Sequence, residues 1–308
     1  MVPNAPLVSV AIPLYRSKRF VRVIKHNVRR LRLPNVEILI SDRHSEDDAL
    51  DLLRQELGDD PRIRFLQTND GIGWVDHYNA LLQQASGRYF MWMPHDDTFP
   101  AGYVADLVHD LERHPEAWLS FGNMYAIHKE KKTKLLSYLP DNLNYNHKPW
   151  HPLHSVRLAA TYNPGIAFRG VFRRDRVLAH NLLIRHSTPN DQYADLYWVF
   201  ALGLHGKLFY NTRQLCVKLH YTNSTHYHWK STNYYSRRSY RTVREYIQYA
   251  PLSATKKTAV YAALGGTYML KKILKLFPLA LKEPLKKWVG IKLFYRSTAK
   301  QERIGSSE

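Results

Sequence analysis

Cysteine is all but missing from this chain of 308 residues: Cys216 stands alone, so no disulfide can form within the chain, and a reducing compartment suits the composition. Glycine is absent where a dinucleotide fold needs it. The first strand-to-helix turn reads Pro13-Leu14-Tyr15-Arg16-Ser17-Lys18-Arg19, which excludes the close pyrophosphate approach of an NAD-dependent oxidoreductase. Gly71 and Gly73 come later without a third glycine, and no GxxxxGK run exists. His226 and His228 have no matching Cys or acidic set, so they do not indicate zinc. Neither zinc-finger spacing nor an RNP-type aromatic stretch is present, which argues against a nucleic-acid reader despite 21 tyrosines. No apolar run reaches the roughly 18 residues of a membrane span. Met1 to Pro6 has neither the basic nor the apolar part of a secretory signal, so the expectation is a cytoplasmic protein, free or peripheral to a membrane. Internal repeats and low-complexity segments are missing too. Acidic residues are in deficit: 26 Asp and Glu against 45 Lys and Arg give a formal charge of +19. Such an excess suits an anionic partner, whether nucleic acid, a membrane surface or a phosphorylated substrate.

What is present reads as α/β. Leu7 to Leu14 is apolar and rich in β-branched residues, a strand that Pro13 should stop. Phe20 to Leu33 reads as a basic amphipathic helix and Val36 to Ser41 as a second strand. Ser45 with Asp48 has the spacing of a capping box, opening a helix through Leu57. Ile63 to Gln67 is a third strand, Trp74 to Ala85 a helix, and Tyr89 to Met93 a fourth strand running into His95-Asp96-Asp97. A helix through Leu107 and Leu111 and a strand from Ala117 to Tyr125 follow. Strands separated by helices imply right-handed crossovers and a mainly parallel central sheet flanked by helices. Ligands of such sheets bind beyond the carboxyl ends of the strands. The residues there are Tyr15 and Arg16, Asp42, Asn69 and Asp70, and Asp96 and Asp97. Carboxylates clustered in this way repel one another unless a cation sits among them.

The second half is less regular. Lys129 to His154 is polar and reads as a long irregular insertion, and Gly165 to Arg174 as a strand or turn. Asp191 to Leu204 is helical, ending at Gly206, and Leu208 to His220 is extended. From Tyr234 the chain is aromatic and basic, then helical. Tyr268 to Tyr295 alternates Leu, Ile and Phe with lysines, and Pro278 and Pro284 break it into short helices.

Four motifs stand in a familiar order. They are Val8-Ser9-Val10-Ala11-Ile12-Pro13-Leu14-Tyr15, Ile40-Ser41-Asp42-Arg43-His44-Ser45, Asn79-Ala80-Leu81 with Ala85-Ser86-Gly87-Arg88-Tyr89, and His95-Asp96-Asp97. Together they resemble the family 2 glycosyltransferases, whose fold is the Rossmann-like GT-A domain. The match is strong from Leu7 to about Tyr125 and weakens to scattered features from Gly165 to His220. The resemblance implies a GT-A domain over residues 1–225, with an irregular insertion at 129–154. Residues 226–308 form a basic helical C-terminal appendage. The implied activity is inverting transfer of a sugar from a nucleotide-sugar donor to a hydroxyl of a glycan or lipid-linked acceptor, with no nucleic-acid partner.

On that pattern Asp42 accepts a hydrogen bond from the nucleotide base, as a strand-end carboxylate can. Pro13, Tyr15, Asn79 and Asp96 complete the donor side. Asp96 holds a divalent cation, Mn²⁺ or Mg²⁺, that neutralises the leaving diphosphate. Pro94 stands where the family usually has another aspartate, and proline cannot ligate a metal. His220 is a further metal candidate or a structural histidine. Asp97 can ligate, orient the acceptor or cap the next helix. Asp195 is the expected general base, with Asp191 one turn earlier as the alternative. Arg173 and Arg174 fall on the acceptor side and can hold phosphates, or form a solvated basic turn. The lysine-flanked C-terminal stretch suits an anionic membrane surface at the inner face of a membrane, or packs on the domain. Two other readings remain: a glycosyltransferase-like binding protein impaired by Pro94, and a basic nucleic-acid-binding protein.

Overall fold

The computed structural model describes residues 7–68, 71–128, 133–137, 139, 141–161, 164–187, 191–221, 237–276 and 301–303. The strands are β1 (Val8–Leu14), β2 (Val36–Asp42), β3 (Ile63–Gln67), β4 (Tyr89–Trp92), β5 (Asp97–Thr98), β6 (Ala117–His128), β7 (Thr133–Ser137), β8 (Val171–Arg173), β9 (Lys207–His220) and β10 (Gln301–Arg303). The helices are α1 (Val21–Arg30), α2 (Ala49–Leu57), α3 (Trp74–Gln84), α4 (Tyr103–Arg113), α5 (Pro152–Thr161), α6 (Arg174–Ala179), α7 (Ala194–His205), α8 (Arg237–Tyr249) and α9 (Ala254–Leu276).

The sheet is parallel over β3-β2-β1-β4. Beyond β4 it becomes mixed: β8 inserts antiparallel between β4 and β6, while β6 pairs with β9 in parallel. The expected parallel sheet is therefore its N-terminal half. Period-two alternation in β1 feeds two cores. Val8, Val10, Ile12 and Leu14 face one core with α1, α2 and α4, and Ala11 faces the other with α3 and α7. Right-handed crossovers leave the carboxyl ends of β1, β2 and β4 at one edge, which is where the site assembles.

Pro13 does not stop β1, which runs on to Leu14 and pairs Pro13 with Ser41. Ala11 accepts the N–H of Met93 at 2.8 Å, and β4 itself ends at Trp92. Two residues further on, Pro13 faces the same edge where no rung needs its missing N–H. The expected capping box also does not form. The Asp48 cap of α2 makes no side-chain bond, because Ser45 has turned back to Asp42. The stretch from Lys129 to His154 is only partly irregular. It carries β7, which forms an antiparallel hairpin with β6, and the start of α5.

The expected break near residue 225 lies outside the described residues, as do Pro278 and Pro284. The helices beyond it that are described pack on the domain. Ile247 of α8, Ala250, Leu252 and Val260 of α9 form one buried cluster with Val156, Phe200 and Leu204 of α5 and α7. No described helix is long and apolar enough to cross a membrane.

An aromatic cluster positions the site. The Trp92 ring at the end of β4 stacks on Phe168, with centroids 5.1 Å apart at 15°, and meets Trp198 of α7 edge-on at 4.9 Å. Its indole N–H donates to the Tyr78 carbonyl of α3 at 3.1 Å. One fully buried side chain thus joins the pieces that carry the carboxylates discussed below. Trp92→Ala should lower unfolding free energy by about 3–5 kcal/mol in urea melts; an effect below about 1 kcal/mol would show that the cluster repacks without it.

Candidate active site

The chain leaves β4 through Pro94 and His95 and re-enters the sheet at β5, so Asp96 and Asp97 sit at the strand tip. Asp97 is fully buried, and its Oδ2 accepts from Arg169 Nε at 2.5 Å. Asn27 of α1 clamps the same residue, donating to its carbonyl at 2.8 Å while its own Oδ1 accepts the Phe99 N–H at 3.1 Å. Arg169 ends a short 3-10 turn (Pro164–Arg169) and is also held through the Gly165 carbonyl at 2.9 Å. Burial works most strongly against its charge, but Asp97, Cys216 and Asp96 together hold the guanidinium above its ordinary value. Asp97 is therefore the anchor of the tip and is not open to an acceptor, as the sequence had suggested.

Asp96 is half-buried and free of side-chain partners among the described residues. Burial opposes its charge, yet Lys218, His95 and Arg169 keep its carboxyl below the usual range, so it is an anion. His95 is stacked on Phe20 at 4.9 Å, and its Nδ1 shares a 2.9 Å hydrogen bond with Ser17 Oγ. Burial lowers its pKa despite the two aspartates, and its imidazole is bonded to the Pro13 carbonyl. Pro13 thus contributes as a buried support beneath the tip.

Asp195 lies in the first turn of α7, where the helix dipole favours a carboxylate. Burial raises its pKa, and the backbone N–H of Leu196, Arg169 and Lys218 only partly offset this. Arg169 and Lys218 act on Asp96, Asp97 and Asp195 alike, and all three acidic groups act on Tyr78. The strand tip and the start of α7 therefore lie within electrostatic reach of the same two cations. Tyr78 also acts on Arg43, which follows Asp42.

Arg43 lays its guanidinium 3.8 Å from the centroid of the Tyr15 ring and donates to the Ile72 carbonyl at 3.1 Å. Burial depresses its pKa, while Tyr15, Tyr78 and Asp42 sustain its charge. Asp42 is 4% exposed and pairs across the sheet with Leu14, so Tyr15 and Asp42 end neighbouring strands. Its carboxylate accepts from Ser45 N at 2.9 Å and Ser45 Oγ at 2.5 Å. Each carboxylate oxygen keeps a second lone pair for another donor.

Other expected site residues are engaged elsewhere. The Asn79 amide clamps Ile184, donating to its carbonyl at 2.8 Å and accepting its N–H at 3.0 Å. Arg173 is 2% exposed and donates to the Ala117 and Leu111 carbonyls and to Tyr89 Oη. Arg174 donates to the Leu82 carbonyl at 2.9 Å. Because β8 runs antiparallel to β4, Arg173 pairs with Tyr89, at the end of β4 away from Asp96. Asp191, at φ 53°, accepts from the Ser187 N–H and meets His186 Nδ1, each at 2.8 Å. His186 Nε2 meets Asp76 of α3 at 3.1 Å. His220 ends β9, with its side chain outside what is described.

The family model of Glycosyl transferase family 2 matches residues 9–177, just over half of the 308. The chain belongs to that family. It is 33% identical over 92 residues to TuaG of Bacillus subtilis (strain 168), named for teichuronic acid biosynthesis; the match covers 30% of this chain and 36% of TuaG. It is 31% identical over 95 residues to chondroitin synthase of Escherichia coli, covering 30% of this chain and 14% of that one. A third relative is the GalNAc(5)-diNAcBac-PP-undecaprenol beta-1,3-glucosyltransferase of Campylobacter jejuni subsp. jejuni serotype O:2 (strain ATCC 700819 / NCTC 11168). It is 28% identical over 104 residues, covering 33% of this chain and 34% of that one. The chain thus matches about a third or less of the length of these relatives. Among solved structures, S. aureus TarS 1-349 in complex with UDP-GlcNAc superposes with a TM-score of 0.65 at 14% identity, over 92% of this chain and 79% of that 1-349 chain. Mannosyltransferase PcManGT from Pyrobaculum calidifontis, in complex with GDP-Man and Mn²⁺, gives 0.50 at 13% identity over 94% and 85%. These likenesses establish the GT-A fold expected from the motifs.

In this family 2 chain, Arg169, Lys218, Tyr78, Arg43 and His186 are the site groups that the strand-end rule missed. Arg169 had a signal in Phe168-Arg169-Gly170, read as a phosphate-binding or solvated turn. Tyr78 stands within α3, Lys218 within β9 and His186 in the loop before α7, where spacing carries no information about convergence, and Arg43 directly follows Asp42 at the end of β2.

Breaking a buried ion pair leaves an uncompensated charge. Arg169→Met should cost about 3–5 kcal/mol of unfolding free energy in urea melts. Arg169→Met with Asp97→Leu should recover most of that loss, and equal single and double losses would refute the pairing. The His186 bridge gives a pH test. Its bond to Asp191 and the charge of both aspartates raise its pKa above the ordinary 6.5 against burial. Its stabilisation should be complete below about pH 6.5 and vanish as pH rises through the higher folded value. Thermal melts of wild type and His186→Ala should therefore converge on going alkaline; a gap that widens would reverse the sign.

Proposed function

We propose that the chain transfers a sugar from a nucleotide-sugar donor to an acceptor hydroxyl with inversion at the anomeric carbon. The observation that carries this reading is the meeting of Asp96, Asp195, Arg169 and Lys218 at the carboxyl edge of a GT-A sheet. The nucleoside end of the donor lies over Tyr15, Arg43 and Asp42, with a spare lone pair of Asp42 accepting from a base N–H. The diphosphate reaches toward Asp96. Asp195 takes the proton of the acceptor hydroxyl as its oxygen attacks the anomeric carbon and the bond to the nucleoside diphosphate breaks. A carboxyl raised by burial is a stronger base than one in water, and its neighbour Arg169 stabilises it once it is ionised.

A divalent cation fits this arrangement in one manner. Among the described residues no three His, Cys, Asp or Glu side chains form a cage. Mg²⁺ and Mn²⁺ sites of donor complexes often need only one or two carboxylates plus substrate phosphates and water. Asp96 is an unpartnered anion, and the buried Oδ1 of Asp97 beside it has no hydrogen bond. Asp96 would hold the ion, which when bound neutralises charge on the leaving diphosphate. Hydroxyls of a surface polysaccharide or lipid-linked oligosaccharide are the acceptors that accord with the names of the relatives. The basic C-terminal helices suit an anionic membrane surface where such acceptors stand.

A thermal-shift panel of UDP-, GDP- and dTDP-sugars with and without Mn²⁺ identifies the donor. With that donor, Asp195→Asn should lower turnover by roughly 10²–10⁴-fold while donor affinity stays within about twofold. Turnover at the wild-type rate would remove Asp195 from the base role.

A further inference from the structure

The proposed reading leaves a cation unused. Lys218 lies opposite Asp97 in the antiparallel register of β5 and β9, so the two side chains share one face of that ribbon. It is half-buried, and its ammonium acts on Asp96, Asp97 and Asp195. Yet among the described residues it makes no hydrogen bond, and no carboxylate oxygen comes within 4.0 Å. Asp97 has already committed its Oδ2 to Arg169 at 2.5 Å. A half-buried ammonium among carboxylates ordinarily closes onto one of them, because an unpaired charge is costly to desolvate. Here Asp97 holds Arg169 instead, and the Lys218 ammonium acts on Asp96 through space without forming an ion pair with it. Pro94, two residues before Asp96, supplies no second carboxylate that could pair with it.

We propose that Lys218 binds the diphosphate of the donor directly, as a fixed cation that shares with the divalent ion the task of neutralising it. This rests on the nucleotide-sugar reading above. A flexible ammonium serves phosphate oxygens as a point charge and needs no planar geometry. Two consequences separate it from a structural lysine. Binding of a nucleoside diphosphate survives removal of divalent ions, and that residual binding depends on a cation at position 218.

Calorimetric titration of UDP, GDP and dTDP, each in Mn²⁺ and in EDTA, on wild type, Lys218→Met and Lys218→Arg tests this. The nucleotide that binds best in Mn²⁺ should keep measurable affinity for wild type in EDTA. Lys218→Met should weaken binding in EDTA by roughly 10- to 100-fold, the worth of a charge-assisted bond, and make it dependent on the metal. Lys218→Arg should restore most of it. Matching circular dichroism and melting curves for the variants exclude a folding effect. Equal affinity of wild type and Lys218→Met in EDTA would overturn the proposal, as would wild-type binding in Mn²⁺ alone; either result leaves the transferase reading intact. Failure of all three nucleotides to bind wild type even with Mn²⁺ would overturn both.

Discussion

A guanidinium buried against a carboxylate joins parts of the chain that are otherwise far apart in sequence. Arg169 comes from the turn before β8 and Asp97 from the tip beyond β4, and their 2.5 Å contact is closed off from solvent. Around it, Tyr103 of α4 donates to the Arg169 carbonyl at 3.2 Å and Asn27 of α1 grips the backbone of the tip. A pair of this kind contributes little net stability compared with apolar side chains of the same volume. What it contributes is position. With Asp97 neutralised, Asp96 is left as the unpaired anion of the tip, and Arg169 still reaches Asp195 through space.

The packing around the pair is aromatic and stiff. Trp92, Phe168, Phe172 and Trp198 meet face-to-edge and in stacked pairs beneath the carboxylates. Large rings with few rotamers fix the start of α7 relative to the tip of β4. The segment before α7 is held from outside by Asn79, by Tyr246 of α8, which donates to the Leu183 carbonyl at 2.9 Å, and by the Asp76–His186–Asp191 bridge. The C-terminal helices thereby form part of the support of the site as well as a basic surface.

The strand-end rule worked where its physics applies. Tyr15, Asp42, Asp96 and Asp97 stand at or just beyond the ends of β1, β2 and β4, and parallel strands with crossover helices necessarily deliver such residues to one edge. It failed where the chain reverses. Arg173 and Arg174, expected on the acceptor side as phosphate binders, sit at the end of β8, and because β8 runs antiparallel to β4 that end lies at the opposite edge. Lys218 sits within β9, beyond the reach of a rule about strand ends, and comes to the tip only because β5 pairs with it. Asn79 lies in a matching family motif, yet its amide clamps the backbone of Ile184.

Periodicity and spacing alone determined the α/β class, the succession of the first four strands along the chain and the carboxylates after those strands. These depend on local periodicity and on the fixed handedness of crossovers, both written along the chain. Only the tertiary structure decided which carboxylate is paired, which is free and which cation stands unpaired among them. That outcome depends on burial and on contacts between residues as distant as Asp97 and Lys218, and a charge in a sequence carries no record of what will desolvate it or face it.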